Sequence, residues 1–172
     1  MLYGDNVFHF LALPRLACQG AIEHFLAFTH STPEARLDCL RHLRLDIQLK
    51  FELKKRGRTY VLQGGQEYRW KRTCDTLKRM KNLSTLNVIL NPVTYQTGTM
   101  HCNRRQPVVG QAPEIRVVKQ LIGVRARYQC VVEVPWARSV VGHLPGAEFE
   151  LREGEGALDD VLDESLLGRH GQ

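Results

Sequence analysis

No apolar run in this 172-residue chain approaches the roughly twenty residues that a helix needs to cross a bilayer, so no membrane partner is expected. The segment VFHFLAL is short, interrupted by His9 and stopped by Pro14, with no basic region ahead of it, so it is not read as a signal peptide. The five cysteines (Cys18, Cys39, Cys74, Cys102 and Cys130) are odd in number and scattered. They are expected to be small buried hydrophobes in a reducing compartment, not a disulfide framework, which places the chain in the cytosol or nucleus.

Catalytic signatures are equally scarce. There is no G-x-S-x-G, no P-loop and no G-x-G-x-x-G. Gly64-Gly65 precedes a predicted helix, but neither a further glycine nor a P-loop lysine accompanies it. Cys39-Leu-Arg-His42 and His101-Cys102 are isolated pairs, where a zinc site needs clustered ligands. His24 and His30 fit capping or packing roles near a helix. Asp159-Asp160 sits in a polar stretch, where nothing would raise a carboxyl pKa for acid–base work. The expectation is no enzyme, no metal and no cofactor.

What the chain does have is a faint repeat. Leu40-Arg-His-Leu43-Arg-Leu45 recurs as Leu83-Ser-Thr-Leu86-Asn-Val88, an offset of 43 residues, with a weaker third copy expected near Val124, 41 residues beyond Leu83, where Leu121 and Val124 precede a β-rich run. Each copy follows a stretch of helical periodicity. Units of helix, turn and buried strand set side by side are how solenoids build a shared core.

Leu43 to Leu53 alternates apolar and polar residues without a break, the signature of a strand with one face in a core. KKRGR then turns the chain and TYVL returns it as a hairpin partner. Residues 67–81 predict a helix with Trp70, Cys74, Leu77 and Met80 (or the Lys81 stem) inward, and Asn82 as its cap. Further helices are expected over 18–28, at Pro33-Glu34 and over 113–122, the last with Ile115, Val118, the Lys119 stem and Ile122 inward. Strands are expected within 3–10, over 86–90 ending at Pro92, and over 128–134. Residues 93–113 read as an irregular loop around Arg104 and Arg105. In the acidic stretch, ALDDVLDESLL has the spacing of a short amphipathic helix.

The fold class predicted is α/β: a short leucine-rich-repeat-like arc of two to three helix-strand units. Its sheet is mostly parallel, with a hairpin near 45–62 and helices on one side. One domain over 1–150 is followed by an acidic tail over 151–172.

Charge is segregated. Residues 50–81 carry eleven Lys and Arg against Glu52, Glu67 and Asp75, whereas 148–164 hold eight acids against Arg152 alone. Two candidate surfaces follow. One is the polar face of the long strand: Arg44, Asp46, Gln48, Lys50 and Glu52. The other is a basic patch of Lys54, Lys55, Arg56, Arg58, Lys71, Arg72, Lys78 and Arg79. Lys54–Arg58 fits a nuclear-localisation pattern or a solvated hairpin tip. Tyr68-Arg69-Trp70-Lys71-Arg72 interleaves aromatics with cations as nucleic-acid surfaces do, yet Trp70 lies on the apolar stripe.

LYGDNVFHF, followed by LRHLRLDIQL and a Trp-bearing helix leading into MKNLSTLNVILN, resembles a large group of fungal proteins with F-box-like elements or domains of unknown function. The resemblance spans about residues 2–92 and rests on structural motifs. Two departures stand out. The C-R-x-I-Y-x-E-A type segment that usually precedes LYG is absent, and Val7 stands where Thr is commoner. The resemblance implies an N-terminally truncated chain without adaptor-recruiting helices. It also implies a protein-interaction module that recognises a protein partner, with nucleic-acid or polyanion binding through residues 50–81 as the rival.

Overall fold

Strict alternation in residues 43–53 produces the central strand of the computed structural model, which describes residues 7–11, 20–53, 60–96, 99–101, 113–135 and 144–154. This strand, β2 (His42–Leu53), turns Leu43, Leu45, Ile47, Leu49 and Phe51 into the core. It lies in a sheet with β1 (Val7–Phe10), β3 (Tyr60–Leu62), β4 (Thr85–Gln96), β5 (Thr99–His101), β6 (Gln129–Val134) and β7 (Glu150–Glu153). The path β1-β2-β4-β6-β7 is parallel throughout, and β3 and β5 fold back antiparallel on β2 and β4. Parallel neighbours need crossovers; helices lie in the β1–β2, β2–β4 and β4–β6 connections, and none is described between β6 and β7.

The repeat is the strand register. Leu43 pairs with Leu86 and Leu45 with Val88, so the 43-residue offset is the β2–β4 ladder itself. The weaker third copy, with Leu121 and Val124 ahead of a β-rich run, lies buried just before β6, as Leu40 and Leu83 lie buried just before β2 and β4. Along the strand itself Leu86 and Val88 face Cys130 and Val132, an offset of 44. The connections stack as well: Ser84 and Thr85 donate to the Arg41 carbonyl, and Arg127 donates to that of Leu83.

The helices are α1 (Ala21–Ser31), α2 (Glu34–Leu37), α3 (Gln66–Arg79) and α4 (Pro113–Lys119). α1 starts at Ala21 because Gly20 caps it, its N–H donating to Glu23 Oε2 at 3.0 Å. Ile22 and Phe25 face inward, and Phe10 packs edge-on against Phe25 with centroids 5.5 Å apart, fixing β1 under α1. Gly65 at φ +76° lets the chain turn from β3 into α3, a conformation that side-chain-bearing residues resist. Trp70, Cys74, Leu77 and Met80 are all buried, as the spacing predicts. Trp70 is fully enclosed and donates its indole N–H to the Val117 carbonyl at 3.0 Å, tying α3 to α4. α3 is capped at Met80, not Asn82.

Pro92 does not end β4. The β6 ladder stops at Ile89 and the β5 ladder begins at Thr94, so position 92 falls where that side of β4 has no strand partner among the described residues. A residue without an N–H is tolerated there. The stretch expected to be an irregular loop thus begins as strand: β4 runs to Gln96 and β5 returns over 99–101. Residues 102–112, with Arg104 and Arg105, lie outside the described residues. In and after α4 the inward residues are Val117, Val118 and Leu121, with Ile115 and Ile122 half-buried and Lys119 exposed. A helix of seven residues ending in a turn at 120–123 presents a different face from the longer helix expected. β7 carries the sheet to Glu153, three residues into the stretch read as tail; residues 155–172, with the predicted helix, lie outside the described residues. Among those described, no helix is long and apolar enough to cross a membrane.

Candidate functional site

One sheet face is core, and the alternation of β2, β4 and β6 therefore places a second set of residues on the other. Register defines its rows. His9, Arg44, Asn87, Val131 and Glu150 stand side by side across five strands; Asp46, Ile89, Glu133 and Arg152 form the next row, and Gln48 and Asn91 begin a third. None of the described helices covers this face. Arg44, Asp46, Gln48 and Lys50 are thus brought together as expected, with Asp46, Gln48 and Lys50 half-buried and Arg44 exposed. Glu52 continues β2, but its side chain lies outside the description.

Diagonal hydrogen bonds organise the face. Asn91 Nδ2 donates to Asp46 Oδ1 at 2.8 Å, and Asn87 Nδ2 donates to Glu133 Oε1 at 3.0 Å. In each pair the later residue lies two positions beyond the register partner of the earlier one, so the geometry recurs from one strand pair to the next. His42 Nδ1 and Thr85 Oγ1, 2.8 Å apart, add a direct cross-strand link. Glu150 receives a two-pronged contact from Arg152, with both bonds at 2.8 Å. This pairing holds the Glu150 carboxyl below its ordinary pKa.

Two features make the face more than a wet surface. Burial raises the Asp46 pKa, opposed by the bond from Asn91 and by the charges of Arg44 and His9; Glu133 adds to the rise. Asn87 Oδ1 is a buried acceptor with no hydrogen-bond donor among the described residues, directly beside Arg44 in the ladder. The face is therefore a grid of donors, acceptors and opposed charges around two apolar residues, the half-buried Ile89 and Val131, which is only 3% exposed. It suits recognition by shape and hydrogen bonding. Among the described residues no cluster of His, Cys, Asp and Glu could hold a metal.

The basic patch does not join this face. Lys54, Lys55, Arg56 and Arg58 lie outside the described residues. Lys71, Arg72, Lys78 and Arg79 are exposed on α3, on the helical side of the sheet. They also diverge. Arg72 lies over the exposed Tyr68 ring, 5.9 Å from its centroid. Arg79 lines a cleft of about 180 Å³ between α1, α2 and the end of α3. The fifth cation of α3, Arg69, is held by Glu23 at 3.0 Å. Trp70 is core and not available for stacking.

Sequence reasoning named the β2 residues but not Asn87, Asn91 or Glu133. A signal was present: Asn87 and Asn91 alternate with Leu86, Val88 and Leu90, and Glu133 stands between Val132 and Val134. Polar residues at these positions belong to the face opposite the core.

A family model described as a domain of unknown function, DUF7730, matches residues 1–152. The match extends well past the 2–92 stretch that carries the sequence resemblance. No curated protein and no solved structure matches the chain.

Proposed function

The chain belongs to the DUF7730 family, and we propose that it serves there as a non-catalytic protein-interaction module inside the cell. The helix-free sheet face would bind the partner. In this reading it corresponds to the substrate-recognition part of a fungal F-box-like protein, with the units of helix and strand acting as a short leucine-rich-repeat-like support. The observation that carries the proposal is the paired bonding of Asp46 to Asn91 and of Glu133 to Asn87. It holds charged groups in place ahead of binding, so less side-chain freedom is lost when a partner docks. The two carboxylates of this face that lie among its central strands, Asp46 and Glu133, are each bonded by an asparagine amide, an arrangement that favours recognition over proton transfer.

The rival is polyanion or nucleic-acid binding through α3, supported by the exposed Lys71, Arg72, Lys78 and Arg79. The two readings separate in one experiment. Immobilised wild-type chain, R44E/K50E chain and K71E/K78E chain are exposed to the same cell extract, and bound protein and nucleic acid are quantified across a salt series. Loss of a protein partner only from R44E/K50E supports the proposal. Bound nucleic acid that leaves steeply with salt, and is lost only from K71E/K78E, supports the rival and sinks the proposal.

A further inference from the structure

Glu67, Lys71, Cys74 and Lys78 follow one another along α3 at spacings of four, three and four, a single line on the helix surface. Two contacts show that this line runs beside α4 and the turn that follows it. Glu67 and Arg116 of α4 form an ion pair at 3.7 Å, and the Lys78 stem passes 3.9 Å from where a Cβ would stand on Gly123, in that turn. Arg116 and Lys119, one turn apart, come from the other side. The seam between α3 and α4 is therefore basic, with Lys71, Lys78, Arg116 and Lys119 against Glu67 and the neighbouring Asp75. Lys71, Lys78 and Lys119 make no ion pair with any described residue.

We propose that the acidic segment 155–172 of this chain docks on the basic seam between α3 and α4 and there competes with external polyanions. Charge complementarity points to this occupant. The segment carries Glu155, Asp159, Asp160, Asp163 and Glu164 against Arg169 alone, its central acids three and four positions apart, like the cations of the seam. Reach is sufficient. β7 ends at Glu153 beside β6, and α4 lies in the crossover from β4 to β6. The lateral distance is two strand spacings, ~10 Å, whereas eighteen residues span ~60 Å when extended and ~27 Å as helix. Tethering adds a further advantage, because a linked segment acts at an effective concentration on the order of millimolar. A free polyanion must exceed that to displace it.

The test uses the full chain, prepared as an equal mixture of unlabelled and ¹⁵N-labelled protein and treated with a carbodiimide, which joins carboxylates to amines only in direct contact. Mass spectrometry then locates the links. The expected result is intrachain links from Asp159–Glu164 to Lys71, Lys78 or Lys119, lost in about 1 M NaCl, where the screening length is about 3 Å. Links to Lys50, Lys54 or Lys55, links between differently labelled chains, or no links from these acids would each overturn the proposal. A second readout is D159N/D160N/D163N/E164Q binding to a fluorescent single-stranded oligonucleotide at low salt. Affinity should rise about tenfold over wild type; unchanged affinity would show that the seam is open already and that the segment does not occupy it.

Discussion

Gln66 accepts the backbone N–H of Lys50 through its side-chain oxygen at 2.7 Å. Its amide nitrogen donates to the Gln48 carbonyl, also at 2.7 Å. These two backbone groups lie in the gap where β1 has left β2 and β3 has not yet joined it. One side chain thus takes the place of a missing strand, and Gln66 is only 9% exposed. Replacing Gln66 with Ala should cost about 2 kcal/mol, because two backbone groups lose their partners in a sheltered place. Urea unfolding followed by circular dichroism measures it; a cost below about 0.5 kcal/mol would mean that water serves equally well.

Leu86 occupies the second copy of the repeat, opposite Leu43 in the ladder, and both are 1% exposed. Leu86→Ala should destabilise by about 3 kcal/mol, the range for a leucine truncated in a packed core. Leu43→Ala should cost a similar amount. The double variant should depart from the sum, since residues in contact couple. Strict additivity in denaturant titrations would count against the shared core of the two units.

Much of this architecture was legible in the sequence because period and repeat survive without tertiary context. β2 announces itself by eleven residues of alternation, and the 43-residue offset of the leucines became a ladder register. Other features depend on neighbours. Pro92 reads as a stop until it is known that, among the described residues, no strand pairs beside it, and β7, with the sequence ELRE, has almost no apolar signal at an edge where β6 is its one partner among the described residues. The site was half legible for the same reason. Arg44 and Asp46 were named from β2 alone, whereas Asn87, Asn91 and Glu133 acquire meaning only once parallel register sets them beside those residues.

The thiols should separate by reactivity. Burial pushes the Cys130 thiol up to about 11 and raises that of Cys74 further, so little thiolate is present on either at neutral pH. Cys39 is exposed. Iodoacetamide on the native chain should alkylate Cys39 well before Cys74 or Cys130, and in urea all three should react alike. Peptide mass spectrometry over a time course reads the order; early labelling of Cys74 would show that α3 opens locally from the sheet.

Asp46 offers a pH test of the helix-free face. Burial raises its pKa in the folded chain above the ordinary 3.8, in spite of Asn91 and Arg44. Between 3.8 and that raised value the folded state holds more proton than the unfolded state, so stability from this group falls as pH rises through the window. Above the window the ionised carboxylate is a standing cost. Asp46→Asn removes the charge and keeps an oxygen for the Asn91 amide, so the variant should be more stable than wild type at pH 7. The advantage should shrink on acidification and vanish below about pH 3.8, where the wild-type carboxyl is protonated in both states. Urea midpoints for both proteins across this range decide the matter. A variant less stable than wild type at neutral pH would show that the Asp46 charge is needed by Arg44 and His9, and that attraction outweighs burial on this face.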